Sequence, residues 1–320
     1  MRLVMLALLP LSFLLAAPCL AAGQTTMLTV MSFNIYGGGQ NDDTPLSQTA
    51  DVIRKVDPDI IGIQETRPEA EDCDANACPP AGKSVAAALA KELGYHCYDQ
   101  TKTNAALWAN AILSRYPIRK ATANDLGVEI DVAGRKVYAF SLHLTDFPYQ
   151  PYQLLDISYG DAPFLKTADE AIAAARAARG PALDLLEKDL SEAKDAAATF
   201  VVGDFNEPSH LDWTPAAVAA GRQPLAVAWP SSERLVALGF TDLFRAAFPD
   251  PVAKPGLTWT PVSEATDPQD HHDRIDFTYG RGKSLRVIEA GIVGEAKPAA
   301  DIAITPWPSD HRATMATVSF

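Results

Sequence analysis

Short apolar runs alternate with amphipathic stretches from residue 27 to the end of the chain. Residues 27–33, 60–64 and 107–114 are mostly apolar or β-branched and predict buried strands. Between the first two runs, Thr44-Pro45 predicts the start of a helix and Asp57-Pro58 its end. Interleaved strands and helices with several buried runs are typical of a protein with layered sheets and helices.

The second half of the chain continues this alternation. Residues 128–132 and 136–144 flank a turn and predict a hairpin. Stretches rich in Ala and Leu on either side of Gly180-Pro181 predict two separate helices. Further helices are expected at 232–238 and 242–247, and strands at 285–292 and 314–320.

Two polar residues follow one of the buried runs directly. Residues 199–202 predict a fully buried strand, after which Gly203 precedes Asp204 and Asn206. Because residues two apart in a strand face the same way, a carboxylate and an amide would project together from its end. Catalytic groups often lie at such ends, although the same residues also fit an ordinary polar turn.

Polar side chains recur at the ends of other predicted strands. Each one alone fits a turn, a helix cap or a buried histidine, but their recurrence predicts a shared site. Carboxylate and amide oxygens suit Mg²⁺, and histidines move protons near neutral pH, so the set fits hydrolysis of a phosphate ester. The positions are Asn34, Glu65, His143, Asp204 with Asn206, Asp276, and Asp310 with His311.

Seven motifs in order resemble those of the endonuclease/exonuclease/phosphatase superfamily, between residues 31 and 311. The resemblance implies an α+β fold, a four-layer β-sandwich of two mixed sheets flanked by helices (DNase I-like), with the active site at one edge. The motifs are Ser32-Phe33-Asn34, Gln64-Glu65-Thr66, Leu113-Ser114-Arg115, Ser141-Leu142-His143, Gly203-Asp204-Phe205-Asn206, Arg274-Ile275-Asp276 and Ser309-Asp310-His311.

The resemblance also implies roles for the matched residues. Asn34 and Glu65 resemble the metal site, and Asp310 lies near the metal, which is expected to be Mg²⁺ or alternatively Mn²⁺ or Ca²⁺. His311 resembles the base that activates water, and a carboxylate orients it. His143 resembles the histidine that contacts phosphate or assists the leaving group, while Asp204 and Asn206 resemble the pair that aligns the nucleophile and holds phosphate.

Two aspartates compete for the role of orienting His311. Family members differ over which carboxylate of an Asp-Arg-Ile-Asp-like strand takes it, and this chain has both Asp273 and Asp276. Asp276 is expected to take the role because it belongs to the commoner Arg-x-Asp pattern. On a regular strand, Asp273 would face the opposite side.

The first 22 residues have the pattern of a cleaved signal peptide. A lone Arg2 precedes an apolar run that is too short and too interrupted by proline for a membrane span. Residues 23–320 then form one catalytic domain, predicted to be secreted or periplasmic and monomeric. An oxidising compartment favours a Cys73–Cys78 disulfide, with Cys97 left free or competing for the bridge.

The negative net charge of the chain bears on which substrates are expected. The chain has 27 basic and 40 acidic residues and a formal net charge of −13, which disfavours a polyanionic partner. The preferred function is hydrolysis of a small or lipid-linked phosphoester, with an extracellular nuclease and a non-catalytic binding protein as alternatives. The completeness of the polar set argues against a binding protein.

Some features stay open. The aromatic start of the interval 145–198 predicts either a substrate-shaping lid or a surface excursion packed by its own rings. His271 and His272 are expected to be an exposed pair, with an added ligand near the site as the alternative. His210 is close to Asp204 in sequence and has no assigned role.

Overall fold

The computed structural model describes residues 25–71, 73–74 and 78–320, so the predicted signal peptide lies outside the described residues. The described residues form thirteen strands and seven α-helices. The strands are β1 Met27–Asn34, β2 Ile60–Gln64, β3 His96–Asp99, β4 Ala111–Ser114, β5 Ile118–Ala121, β6 Gly127–Val132, β7 Arg135–His143, β8 Ala198–Asp204, β9 Thr241–Asp242, β10 Asp276–Arg281, β11 Arg286–Gly294, β12 Ile302–Ala303 and β13 Ala313–Ser319. The helices are α1 Leu46–Val56, α2 Ala86–Leu93, α3 Gln150–Leu155, α4 Ala168–Leu190, α5 Pro215–Ala219, α6 Pro230–Ala237 and α7 Leu243–Ala247.

Two mixed sheets form the centre of the fold. One has the order β12-β11-β13-β1-β2-β4-β3 and the other the order β5-β6-β7-β8-β10-β9. In each sheet the two strands that carry the site, β1 with β2 and β7 with β8, pair in parallel, while the neighbours β13 and β10 are antiparallel. Parallel strands end at the same edge, so the four strand ends meet there.

The sheets pack face to face over an apolar core. Val30 and Ile60 of one sheet and Val128 and Phe200 of the other are fully buried in a single cluster. The helices α1 and α2 cover the outer face of the first sheet, and α4 and α6 cover the outer face of the second. The predicted four-layer α+β sandwich is therefore confirmed.

The prediction of a break at Gly180-Pro181 is wrong, because α4 continues through both residues. Its buried residues keep a helical spacing across this point, so one continuous face is buried, first against Trp213 and Trp229 and then, after Pro181, against the sheet. Burial of that face outweighs the loss of one backbone hydrogen bond at the proline. The buried residues include Ala171, Ala175, Arg179, Ala182 and Leu186.

The strand predicted at 107–114 is shorter in the structure and begins at Ala111. Asn110 Oδ1 accepts a hydrogen bond from the backbone nitrogen of Trp108 (2.9 Å), which satisfies that donor outside a sheet ladder. Four strands that the sequence pattern did not indicate, β3, β5, β9 and β12, are short and lie at sheet edges. Their partly exposed residues lack the apolar run that marks a buried strand.

The cysteine prediction is confirmed, because Cys73 and Cys78 form a disulfide. Cys97 is free and partly buried. Within the described ranges, every helix is too short or too polar to cross a membrane.

Buried ion pairs fix the chain just before β10. Arg274 Nε lies 3.0 Å from Asp212 Oδ2, and Arg274 Nη2 lies 2.8 Å from Asp242 Oδ2. Asp212 Oδ1 also accepts from Arg245 Nε at 2.5 Å. All four side chains are buried, so each charge depends on its partners rather than on water.

Removal of Asp212 should therefore destabilise the fold. Asp212→Ala leaves two buried guanidinium groups short of a partner, and we expect the free energy of unfolding to fall by about 3–5 kcal/mol. Urea denaturation measures this change, with the exposed Glu289→Ala as a control that shifts it by less than about 0.5 kcal/mol. A loss below about 1 kcal/mol in Asp212→Ala would contradict the role of the network.

Candidate active site

Asp204 lies between two other predicted site residues because of strand register. It ends β8 and is the register partner of His143 on β7 and of Asp276 on β10. Gly203 permits the close approach of β7, since a Cβ at this position would lie 2.2 Å from Leu142 O. The sheet alone therefore places two carboxylates and an imidazole side by side.

One oxygen of Asp204 connects the two sheets. Its Oδ2 accepts a hydrogen bond from Asn34 Nδ2 at 3.2 Å, across the sandwich. The Nε2 atoms of His143 and His311 each lie 3.6 Å from the same oxygen. Asp204 Oδ1 accepts from the backbone nitrogen of Asn206 at 2.8 Å. The carboxylate, 1% exposed, thus accepts two hydrogen bonds and lies within ion-pair distance of two imidazoles.

His311 is held by a second carboxylate. Its Nδ1 lies 2.9 Å from Asp276 Oδ2, and its ring packs against Trp259 at 4.9 Å between centroids. Burial lowers the pKa of His311, but the carboxylates of Asp276 and Asp204 outweigh burial and raise this pKa well above its usual value. With Asp276 at Nδ1, the nitrogen that faces Asp204 and the cavity is Nε2.

Asp273 has different surroundings. The expectation that it lies on a regular strand is wrong, because β10 begins only at Asp276 and Asp273 forms an isolated bridge with Trp259. It is buried, and it accepts hydrogen bonds from the Tyr149 hydroxyl (2.9 Å) and from Trp213 Nε1 (2.8 Å). Asp273 therefore anchors aromatic side chains, whereas Asp276 contacts His311.

Glu65 and Asp310 are largely buried carboxylates near the same strand ends. Burial, followed by the charge of Asp310, raises the pKa of Glu65 well above its usual range. Burial likewise raises the pKa of Asp310 to about 6. Among the described residues, no hydrogen-bond partner reaches Glu65 Oε2 or Asp310 Oδ1. Buried carboxylate oxygens without donors call for a positive charge, so this pair fits a divalent cation.

Asn34 contacts this pair as a hydrogen-bond donor. Its Nδ2 donates to Glu65 Oε1 at 2.8 Å, and its Oδ1 accepts from the backbone nitrogen of Tyr36 at 3.1 Å. The amide oxygen, which would bind a cation, is therefore engaged in this arrangement. A ligand role for Asn34 stays a prediction.

A second group also has the composition of a metal site. Asp204, Asp276 and His311 place one ligand atom each within 4.8 Å of one another. His311 Nδ1 is already paired with Asp276, however, so a shared proton accounts for this group without a cation. The orphaned oxygens of Glu65 and Asp310 favour their pair as the metal position.

Two of the predicted site residues have left-handed backbone conformations. The φ angles of Glu65 and Asn206 are 56° and 46°. Such conformations are strained for residues other than glycine and are frequent at functional sites. Each turn directs a side chain to the edge where the strands end, and Asn206 Nδ2 is fixed there by a 3.0 Å hydrogen bond to Leu144 O.

An open cavity of about 500 Å³ lies over these groups. His143 and His311 both line it, with Trp108 beside the first and Trp259 beside the second. The sequence pattern gave Trp108 no role, because no motif marks it. Further aromatic walls come from Phe147, Tyr149, Tyr152 and Tyr159.

The aromatic start of the interval 145–198 is packed by its own rings, as one of the two predictions had it, and it also lines the cavity. Tyr152 packs against Tyr149 at 4.9 Å and against Tyr159 at 6.1 Å between ring centroids, so the segment is packed by its own rings. The same rings line the cavity. The segment is therefore a wall of the cavity that is held together by its own aromatic packing.

A buried arginine supports this wall from behind. Arg179 Nη1 donates to Gln150 Oε1 at 2.5 Å, Nη2 donates to Pro148 O at 3.3 Å, and Nη1 lies 3.9 Å from Glu207 Oε2. Arg179 and Glu207 are both buried. This pair joins α4, the aromatic segment and the turn after β8, and no sequence signal distinguished it from a surface pair.

The remaining histidines lie outside the cavity lining. The prediction of an exposed pair is wrong, because His271 and His272 are largely buried and contact Gln223 Oε1 and Ser263 Oγ, both at 2.8 Å. His210 Nδ1 lies 2.8 Å from Ser232 Oγ. These three rings fill local polar positions.

A family model described as the endonuclease/exonuclease/phosphatase family matches residues 31–311. The chain belongs to this family. Its members are phosphoesterases and nucleases and typically use divalent metals. The match spans all of the predicted site residues from Asn34 to His311.

Known proteins resemble this family member at low identity. The uncharacterized protein F14F9.5 of Caenorhabditis elegans is 27% identical over 311 residues, which cover 92% of this chain and 91% of that protein. A family protein from Leptotrichia buccalis matches with a TM-score of 0.52 at 13% identity, over 92% of this chain and all of that one. An AP endonuclease from Archaeoglobus fulgidus matches with a TM-score of 0.50 at 17% identity, over 90% of this chain and 98% of that one. The two structures share the fold.

The raised pKa of Asp310 makes metal binding depend on pH. In the folded, metal-free protein this pKa is about 6, above the ~3.9 of an unfolded aspartate, so stability falls as the pH rises between these values. A cation requires the ionised carboxylates. We therefore expect MgCl₂ to raise the thermal midpoint more at about pH 7.5 than at about pH 5.

Thermal unfolding with MgCl₂ and with EDTA at the two pH values tests this expectation. Glu65→Gln should reduce the Mg²⁺-dependent shift, whereas the exposed Glu289→Gln should leave it unchanged. An equal Mg²⁺ shift at both pH values would contradict the assignment of Asp310.

Proposed function

We propose that this protein is a divalent-metal-dependent phosphoesterase that activates water with His311 and Asp276. The observation that carries the proposal is the position of Asp204 Oδ2, 3.6 Å from the Nε2 atoms of both His143 and His311. Two imidazoles that converge on one cavity beside buried carboxylates can accept one proton and donate another during a single hydrolysis.

Glu65 and Asp310 would hold the cation, with Asn34 beside them. Mg²⁺ is the preferred ion, and Mn²⁺ or Ca²⁺ are alternatives. When bound, the cation would polarise the phosphoryl oxygen as a Lewis acid and offset the carboxylate charge that favours protonated His311.

The side chains of the site would move the protons. His311 Nε2 takes a proton from water as the water oxygen bonds to phosphorus, and Asp276 at Nδ1 fixes the ring and stabilises its charge. As the bond from phosphorus to the alcohol oxygen breaks, His143 donates a hydrogen bond or a proton to that oxygen. Asp204 aligns both rings, and Asn206 lies where it can stabilise a phosphoryl oxygen.

A small or lipid-linked phosphoester is the preferred substrate. The net charge of −13 disfavours long-range attraction of nucleic acid. Nuclease activity remains the second candidate, since the fold match includes a protein described as an AP endonuclease. A non-catalytic role is disfavoured by the convergence of both histidines on one carboxylate oxygen.

We further infer export and a monomeric state. The pattern of residues 1–22 supports a cleaved signal peptide, and the Cys73–Cys78 disulfide is compatible with an oxidising compartment.

The function is tested on nucleic acid, sphingomyelin, glycerophosphodiester and inositol-phosphate substrates, with Mg²⁺ and with chelator. On the best substrate, His311→Ala and His143→Ala should each lower kcat by about 10² to 10⁴, because each ring moves a proton. The double variant should lose less than the product of the two effects, because both rings act in one transition state.

The exposed His96→Ala is the matched control and should keep the kcat of the parent protein. Thermal midpoints show whether each variant is folded. Near-normal kcat per folded molecule in His311→Ala would overturn the mechanism. Turnover that survives chelation would overturn the metal dependence.

A further inference from the structure

The charged residues that line the cavity are mostly acidic. Among the described residues, its charged lining consists of five carboxylates and two histidines, without any lysine or arginine. Three of those carboxylates belong to the proposed metal and proton groups. Glu69 and Asp146 do not, and both are exposed at the open side of the cavity.

Aromatic rings make up much of the remaining wall. Trp108 packs edge-on against His143 at 5.9 Å, and Trp259 packs against His311 at 4.9 Å. Phe147 and Tyr159 pack together at 5.7 Å. The rings therefore border both histidines, next to the place where a phosphoester would react.

Asp146 is hydrogen-bonded to one of these rings, and Glu69 lies beside the disulfide. The Tyr159 hydroxyl donates a hydrogen bond to Asp146 Oδ2. A carboxylate oxygen of Glu69 lies within 4.8 Å of the sulfurs of the Cys73–Cys78 disulfide. Trp108 Nε1 donates to Cys78 O at 2.5 Å, which ties the disulfide segment to the aromatic wall.

Glu69 is accessible to a positive partner from outside the protein. Its backbone nitrogen donates a hydrogen bond to Asn41 Oδ1 at 3.2 Å, and its exposed carboxylate lies near Asp146 and His143. Arg179, a buried cation behind the wall, is committed to Glu207, Gln150 and Pro148 O and does not line the cavity. A positively charged group on a substrate would therefore balance the negative charge of Glu69 and Asp146 on this side of the cavity.

We propose that the cavity binds the alkylammonium group of a phosphoester such as a phosphocholine ester, an inference that rests on the proposed function. Aromatic faces attract cations through the quadrupole of the ring, and quaternary ammonium groups are bound in this way. Glu69 and Asp146 add favourable charge, while the phosphate would lie by the two histidines, next to the cation that Glu65 and Asp310 would hold. Nucleic acid lacks the cation and would bring flanking phosphates to acidic side chains.

An uncharged aromatic or aliphatic group would also fit against the rings. The test therefore compares two substrates that differ only in the positive charge. The two substrates are p-nitrophenyl phosphocholine and p-nitrophenyl 3,3-dimethylbutyl phosphate, which replaces the ammonium nitrogen by carbon. They share the leaving group and nearly the same shape. We expect kcat/KM to be higher for the choline ester by about 10-fold or more.

Variants of the cavity show which residues cause the preference for the choline ester. Glu69→Gln and Trp108→Leu should each reduce the ratio of the two kcat/KM values, because they remove a charge and a ring face from the cavity. Glu289→Gln makes the same charge change on an exposed strand residue and should leave the ratio unchanged.

Calorimetric titration with choline and with 3,3-dimethylbutan-1-ol measures the preference without turnover. Preferential binding of choline that weakens in Glu69→Gln supports the proposal. Equal kcat/KM for the two esters, or equal binding of the two alcohols, overturns it, while Mg²⁺-dependent turnover of both esters would leave the phosphoesterase function intact. Absence of turnover with choline still bound preferentially would instead overturn the phosphoesterase function.

Discussion

A single buried carboxylate oxygen, Asp204 Oδ2, sets the geometry of the site. It receives Asn34 Nδ2 from one sheet and faces His143 and His311 Nε2 atoms from the other sheet and from the turn before β13. A buried charge is stable only when donors surround it, so the three groups are held where Asp204 requires them. The packing of the sandwich and the chemistry of its edge therefore depend on each other.

The wall of the cavity follows the same rule. Asp273 binds the Tyr149 hydroxyl, and Arg179 binds the backbone at Pro148 and the side chain of Gln150. These buried polar contacts hold the aromatic segment in one arrangement, since each unmade bond would leave a buried charge without a partner. The segment is thus held in one arrangement before any ligand binds, and such preorganisation reduces the entropy that binding costs.

The sequence predicted those parts of the fold that depend on local pattern. Apolar runs located β1, β2 and β8, because a strand buried on both faces has few polar residues. The continuous helix through Gly180-Pro181 could not be predicted, since its stability comes from a buried face rather than from local propensity.

The site was predictable to a similar extent. Strand ends carry the polar residues in order, so Asn34 and Asp204 stood out without a structure. The surroundings of Asp273 and Asp276 depend on the register between β8 and β10, which no local pattern encodes. Arg179 was also hidden, because a charged residue on a helix is ordinarily exposed and only tertiary packing buries it.

The central claim is that two separate groups act in the site. Glu65 and Asp310 bind the cation, whereas Asp204, Asp276 and His311 take part in proton transfer. The most direct test is anomalous diffraction from crystals grown with Mn²⁺ as a scatterer in place of Mg²⁺. The account predicts one peak in contact with the carboxylates of Glu65 and Asp310, with His311 Nδ1 still paired to Asp276. A peak bound by Asp204, Asp276 and His311 instead would contradict it.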